Sequence, residues 1–247
     1  VKYDLARELS TRVSSGEMIK FCIITTQRSG SSWLSGMLKR HPQIKSCGEL
    51  VSNYSKDNPE KMNQFLDYLN ELERESDLRY EAFGFKLMYS QLRNKPSILM
   101  KLVSSNYKIM HLIRENYLDS ILSLEIARRS GIYHAGSKVD IEKINLEPTW
   151  LLKKLSKRDR NTKLMRTLLS VLPNPVLTIT YENLFLDKES TLLSILRFLE
   201  IKNISLEFSF QSYHTKINEK SYRETISNYE DVEAALEGTK FYDFLFS

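Results

Sequence analysis

The sequence predicts a single α/β domain over residues 1–247, with a P-loop-like central parallel sheet flanked by helices. Short apolar, β-branched runs alternate with segments of helical period, the order that builds parallel sheets. One run, Lys108-Ile-Met-His-Leu-Ile113, is nearly all apolar, as in a strand covered on both faces. The first run feeds a Ser- and Gly-containing turn and then a helix, an arrangement that gathers backbone N–H groups around an anion. No internal repeat or linker divides the chain.

The elements follow in order. Phe21-Cys-Ile-Ile-Thr-Thr26 reads as a buried strand that breaks into Gln27-Arg-Ser-Gly-Ser-Ser32. Trp33-Leu34 and Met37-Leu38 then form a helical face, stopped by His41-Pro42. A short second strand precedes Glu49. Pro59 to Glu75 repeats apolar residues at Met62, Phe65-Leu66, Leu69 and Leu72, an amphipathic helix. Phe83–Met88 and Lys108–Ile113 are strands. Asn116 caps a helix, with Asp119 at its third position, that ends at Gly131. Pro148 opens a long helix to about 171, Pro175–Thr180 is a strand, and Lys188–Leu199 a helix. Ser212–Lys220 is polar and loop-like, and a short acidic helix lies near Tyr229–Leu236.

Hydrophobic residues make up 41% of the chain, enough for a substantial core. Eight Gly and six Pro exclude collagen-like and low-complexity proteins. No run of 18 apolar residues occurs, and Val1–Glu8 has no apolar signal core. The only cysteines are Cys22 and Cys47, too few for a disulfide scaffold. The expectation is a cytoplasmic protein without stable membrane insertion; a start at Val rather than Met leaves an upstream targeting or anchor segment open. The sequons at Asn53 and Asn203 are triplets frequent by chance. The net charge of +5 comes from one place, since residues 153–166 hold seven basic residues and one acid. Alternation with Leu151, Leu152, Leu155, Leu164 and Leu168 makes this an amphipathic helix whose basic face is solvated by default. Its sharper uses are an anionic acceptor, an acidic partner or a membrane surface.

Chemistry concentrates in two places. In the first turn, Gly30 lets backbone approach an anion, Ser29, Ser31 and Ser32 add hydroxyl donors, and Arg28 adds a planar cationic fork. The turn lacks the Gly-x-x-x-x-Gly-Lys-Ser/Thr spacing of a nucleoside-triphosphate loop. Arg114 ends the fourth strand, where open α/β sheets place ligand contacts, and Ser123 lies nine residues on. The plain alternatives are a helix-capping turn and a structural salt bridge at Arg114.

Gln27-Arg-Ser-Gly-Ser-Ser-Trp33 resembles the loop with which sulfotransferases hold the 5′-phosphosulfate of 3′-phosphoadenylyl sulfate (PAPS). Leu112-Ile-Arg114 with Ser123 resembles their 3′-phosphate site. Thr178–Leu184, Asp187–Leu199 and Tyr222–Thr239 resemble the family's late strand, helix and bacterial-type tail, so the likeness runs from about 20 to 240 in family order. It is greatest to the trehalose 2-sulfotransferase-like, metabolite- and carbohydrate-modifying branch, with some similarity to tyrosylprotein sulfotransferases. In the cytosolic steroid and phenol enzymes the loop cation is Lys, and a one-residue shorter Arg-to-Ser spacing would select Leu122; Ser123 is chemically the better match. Their Arg-Lys-Gly motif is absent, with Lys216, Lys220 and Arg223 as replacements.

The resemblance implies a PAPS-dependent enzyme acting without a metal on a hydroxyl or amine of a small metabolite or carbohydrate, with no nucleic-acid partner. Glu49 matches the family position for a general base where a catalytic His is lacking; the alternative is a surface carboxylate after a turn. His134 is the second choice, while His41 reads as a helix-end residue, His111 as core and His214 as loop. Lys86 lies in an otherwise apolar strand, to meet the bridging oxygen or sulfate, or to snorkel at an edge. Tyr181 is placed at the adenine, and Trp33 stacks there or anchors its helix. The competing functions are a P-loop kinase-like phosphotransferase, which the missing loop Lys opposes, and a non-catalytic binding module using helix 153–166.

Overall fold

Five β-branched and aromatic runs pair as one parallel sheet: β1 (Ile19–Thr25), β2 (Ile44–Glu49), β3 (Ala82–Met88), β4 (Lys108–Ile113) and β5 (Val176–Thr180), in the order β2-β3-β1-β4-β5. The computed structural model describes residues 17–51, 59–77, 79–93, 95–132, 142–202 and 221–246. The helices are α1 (Ser31–Arg40), α2 (Pro59–Asp77), α3 (Tyr89–Arg93), α4 (Pro96–Ser104), α5 (Tyr117–Ser130), α6 (Pro148–Ser170), α7 (Tyr181–Leu186), α8 (Lys188–Phe198), α9 (Tyr222–Thr225) and α10 (Tyr229–Leu236), followed by a 3-10 turn at Tyr242–Leu245. The chain leaves β1 toward β2 and leaves β4 toward β5. Those opposite departures open a crevice at the carboxyl ends of β1 and β4.

Successive strand residues face opposite sides of the sheet. Cys22 and Ile24 pack with Phe65 and Leu69 of α2, Leu102 of α4 and Met165 of α6. Phe21 and Ile23 pack with Leu34, Met37 and Leu38 of α1 and with Leu192 and Ile195 of α8. A third cluster joins α5, the first half of α6, α10 and the 3-10 turn. Gly84 of β3 is required by this packing: a Cβ there would lie 2.4 Å from the Phe21 ring.

Both faces of the sheet are thus covered by helices, as the apolar strands required. Asn116 caps α5 by accepting from the Asp119 N–H, and Gly131 closes it at φ +71°. Pro148 opens α6, whose first amide groups are capped by the Glu147 side chain. Three features depart from the sequence reading. Helices α3, α4, α7 and α9 fill stretches that carried no helical expectation. The apolar stripe of α6 is rotated from Leu151, Leu152, Leu155, Leu164 and Leu168: Leu164 is 62% exposed, and the buried row is Leu151, Leu155, Thr162, Met165 and Leu169. The cause is that α6 lies across two clusters, so only a row of spacing four and three meets both. And the seven cations are not one solvated face, since Arg158 is half-buried and in phase with that row, three residues after Leu155 and four before Thr162. Among the described residues no helix is long and apolar enough to cross a membrane.

Candidate active site

The β1 loop is built around two left-handed residues, Arg28 (φ +63°) and Gly30 (φ +85°). Thr25 donates to the Leu112 carbonyl at 2.8 Å, and Ser29 donates to the Thr26 carbonyl at 2.7 Å while also touching the Thr25 hydroxyl. Ser29 therefore spends its hydroxyl inside the loop, and Ser31 is buried beside it. Gly30 is the N-cap of α1, and no side chain caps that helix, whose amino end faces the loop. A Cβ at Gly30 would come 2.5 Å from Cδ2 of Tyr181, so the tyrosine ring rests directly on the glycine.

Across the crevice, the Arg114 guanidinium lies 4.3 Å from the centroid of the same Tyr181 ring. It donates to Asp119 at 2.5 Å and to the Arg28 carbonyl at 3.4 Å, while its buried Nε has no partner among the described residues. Asp119 also accepts from the Tyr222 hydroxyl at 2.7 Å. Asn116 donates to that hydroxyl at 3.0 Å and to the Phe244 carbonyl at 2.9 Å. The Arg28 Nε donates to Ser123 Oγ at 3.0 Å, which brings Arg28, Arg114 and Ser123 together, while Leu122, the position that the shorter spacing would select, is buried in the core. Burial, then repulsion from Arg114, lowers the pKa of Arg28. Trp33 packs edge-on to Tyr181 and Phe185, with ring centroids 6.0 and 6.5 Å away.

On the other side of β1, Lys86 of β3 donates to Ser32 Oγ at 3.0 Å. It is the register partner of Glu49 in β2, where a register shift between Ser46 and Glu49 and a left-handed Gly48 (φ +67°) turn the strand end. Burial lowers the Lys86 pKa, and the Glu49 charge partly opposes it. Gln91 donates to Glu49 Oε1 at 3.0 Å. His111 is core: it is 1% exposed, bonds the Tyr89 hydroxyl at 2.5 Å, and is pushed down to about 4 by burial and then by Arg166. His41 ends α1 and its Nδ1 accepts from the Gln43 N–H.

Arg223 does not join this group. Its guanidinium lies 4.1 Å from the Tyr229 ring centroid and pairs with Glu230 and Glu233 at 3.2 and 3.1 Å. His134, His214, Lys216 and Lys220, both sequons and the 212–220 loop lie outside the described residues. Arg158 is the residue that sequence reasoning missed. Half-buried on the side of α6 that carries Leu155 and Thr162, it donates to Thr26 Oγ1 at 2.9 Å and to the Gln27 carbonyl at 3.1 Å. The signal was there in its phase, four residues before Thr162 and three after Leu155.

A helix end without a side-chain cap, a left-handed loop and neighbouring guanidinium groups at the switch point of a 2-3-1-4-5 sheet make this an α/β domain of P-loop-like topology. The chain belongs to the sulfotransferase domain family, a family of enzymes, which it matches over residues 19–241. It is 30% identical over 118 residues to nodulation protein H of Rhizobium meliloti, covering 44% of this chain and 48% of that protein. It is 30% identical over 122 residues to nodulation protein H of Rhizobium tropici, covering 45% and 47%. The chain spans about half the length of the curated relatives it matches. A sulfotransferase from Alicyclobacillus acidocaldarius shares the fold with a TM-score of 0.54 and 17% identity, over 89% of this chain and 91% of that one. The sulfotransferase domain of the Synechococcus PCC 7002 olefin synthase aligns with a TM-score of 0.47 and 18% identity, over 83% and 86%.

Proposed function

We propose that this enzyme moves the sulfuryl group of PAPS, in line and without a metal, to a hydroxyl or amine of a small metabolite or carbohydrate. The observation that carries the reading is the convergence of Arg28, Ser123, Arg114 and the Lys86–Ser32 pair on one crevice. Bound there, PAPS supplies a sulfuryl group joined to a good leaving phosphate. Arg28 and the amino end of α1 meet the charge that grows on that phosphate as the S–O bond breaks. Lys86 stands toward the bridging oxygen, Arg114 and Ser123 take the 3′-phosphate, and Tyr181 and Trp33 border the adenine. Glu49 takes the proton from the acceptor as its oxygen or nitrogen bonds to sulfur. Both thiols, Cys22 and Cys47, are free, which suits a reducing, cytoplasmic setting.

The test is calorimetric titration with 3′-phosphoadenosine 5′-phosphate (PAP), with Mg-ATP as the comparison, followed by transfer from labelled PAPS to a panel of acceptors. Absence of PAP binding sinks the assignment, and binding of Mg-ATP alone would favour a phosphotransferase. Glu49→Gln should cut turnover roughly 10²- to 10⁴-fold and leave PAP affinity nearly intact. Unchanged turnover would remove Glu49 as the base.

A further inference from the structure

We propose that Arg158 of α6 is a positioning residue of the donor site, fixing the Thr26–Gln27 end of the β1 loop and adding a third positive charge beside Arg28 and Arg114. The inference rests on the donor reading above. Of the seven cations between 153 and 166, Arg158 alone is not exposed. Its guanidinium is bound by neutral groups, the Thr26 hydroxyl and the Gln27 carbonyl. Half-burying a cation without a carboxylate partner still costs solvation, so its place in phase with Leu155 and Thr162 calls for another reason. Burial and then repulsion from Arg114 push its pKa down to about 10, with Tyr89 and Tyr117 opposing in smaller measure. Arg114 depresses Arg28 in the same way. The neighbouring carboxylates are engaged elsewhere, Asp119 by Arg114 and Asp159 by Lys163 and Lys240. Three guanidinium groups held around one loop form a field that a multiply charged anion completes. By holding the Gln27 carbonyl away from the crevice, Arg158 keeps the loop's N–H side toward that anion.

PAP is titrated into the purified chain and into Arg158→Met, Arg158→Lys and Arg160→Met, with thermal midpoints read in its absence and kcat and KM for PAPS measured on each. Arg158→Met should weaken PAP roughly 10- to 100-fold with an unchanged or higher midpoint, because repulsion is relieved. Arg158→Lys, which keeps the charge, should recover much of the affinity and KM but not kcat. Arg160→Met, on the exposed side of the helix, should bind PAP as the parent does. Parent-like PAP binding and kcat by Arg158→Met overturns the inference, as does a midpoint that falls along with affinity, the mark of a structural prop. An equal loss in Arg160→Met overturns it too, since the helix then acts through its bulk charge. Should Arg158→Met fail to fold, Thr26→Val keeps the charge and removes one loop partner. It should weaken PAP roughly 3- to 10-fold, and unchanged binding overturns the inference. Failure of the parent chain to bind PAP overturns the donor reading itself, a result distinct from a defect confined to the Arg158 variants.

Discussion

Replacing Gly30 by Ala probes the contact on which the crevice is built. The methyl group meets two separate penalties. A left-handed φ of +85° costs an L-residue about 1–2 kcal/mol. The new Cβ would also stand 2.5 Å from Cδ2 and 3.0 Å from Cε2 of Tyr181, an overlap that forces the ring aside at about 1–3 kcal/mol. Together they amount to about 2–5 kcal/mol, or roughly 4–20 °C in thermal midpoint for a chain of this size. Gly131→Ala separates the two effects, because Gly131 is also left-handed (φ +71°) but a Cβ there meets nothing within 4 Å. Its loss should stop at about 1–2 kcal/mol. Moving Tyr181 also removes the ring on which Arg114 rests, so Gly30→Ala should lose PAP affinity as well as stability while Gly131→Ala keeps it. The assay is differential scanning fluorimetry with and without PAP. A Gly30→Ala midpoint no lower than that of Gly131→Ala, or a lowered midpoint with parent-like PAP affinity, would refute the reasoning.

Other variants test other parts of the frame. Gly84→Ala drives a methyl into the Phe21 ring at 2.4 Å and should destabilise the sheet by about 1–3 kcal/mol, read by urea denaturation with PAP affinity measured alongside. Asp119→Asn strips Arg114 of its counter-charge and should cost about 1–3 kcal/mol; PAP should then raise the midpoint more in the variant than in the parent. His111 has a folded pKa of about 4, below its unfolded value, so the unfolded chain binds the extra proton between the two. Its contribution is present above about pH 6.5 and is lost as pH falls toward 4, on the order of 3 kcal/mol. His111→Gln should flatten that part of a stability–pH curve, and an unaltered slope would contradict its burial as a neutral ring.

Elements whose buried faces recur over several turns were legible in the sequence, as with Met62, Phe65 and Leu69 in α2 or the Asn116 and Gly131 caps of α5. The stretch that forms α3 and α4 was not, because Pro96–Ser104 is only nine residues long and its Ile98–Leu102 spacing does not recur over further turns. The meeting of Arg28, Arg114 and Ser123 around the Gly30 turn was readable, because a Ser- and Gly-containing turn after a buried strand and a strand-end cation have local signatures. Arg158 was hidden by its own company: as one of seven cations it was grouped by composition, whereas its phase against Leu155 and Thr162 set its direction. Arg223 shows the converse. It was chosen for its charge, yet Glu230 and Glu233 follow at the start of α10 and neutralise it locally. Composition identifies which residues are ionic, and geometry decides which charges remain available to a ligand.

The bonds from Asn116 to Tyr222 and to the Phe244 carbonyl bridge separations of 106 and 128 residues. They have a consequence for the order in which the molecule is made. A ribosome delivers the β1 loop, β4 and β5 well before α9 and the 3-10 turn emerge. At that stage the sheet is complete in sequence, but Asn116 and Asp119 still lack the partners that set Arg114. The setting of Arg114, on which the proposed donor site depends, is therefore complete only once Tyr222 and Phe244 have been made. A chain that has not yet reached Tyr222 has the framework of the sheet before it has the partners that hold Asn116 and Asp119.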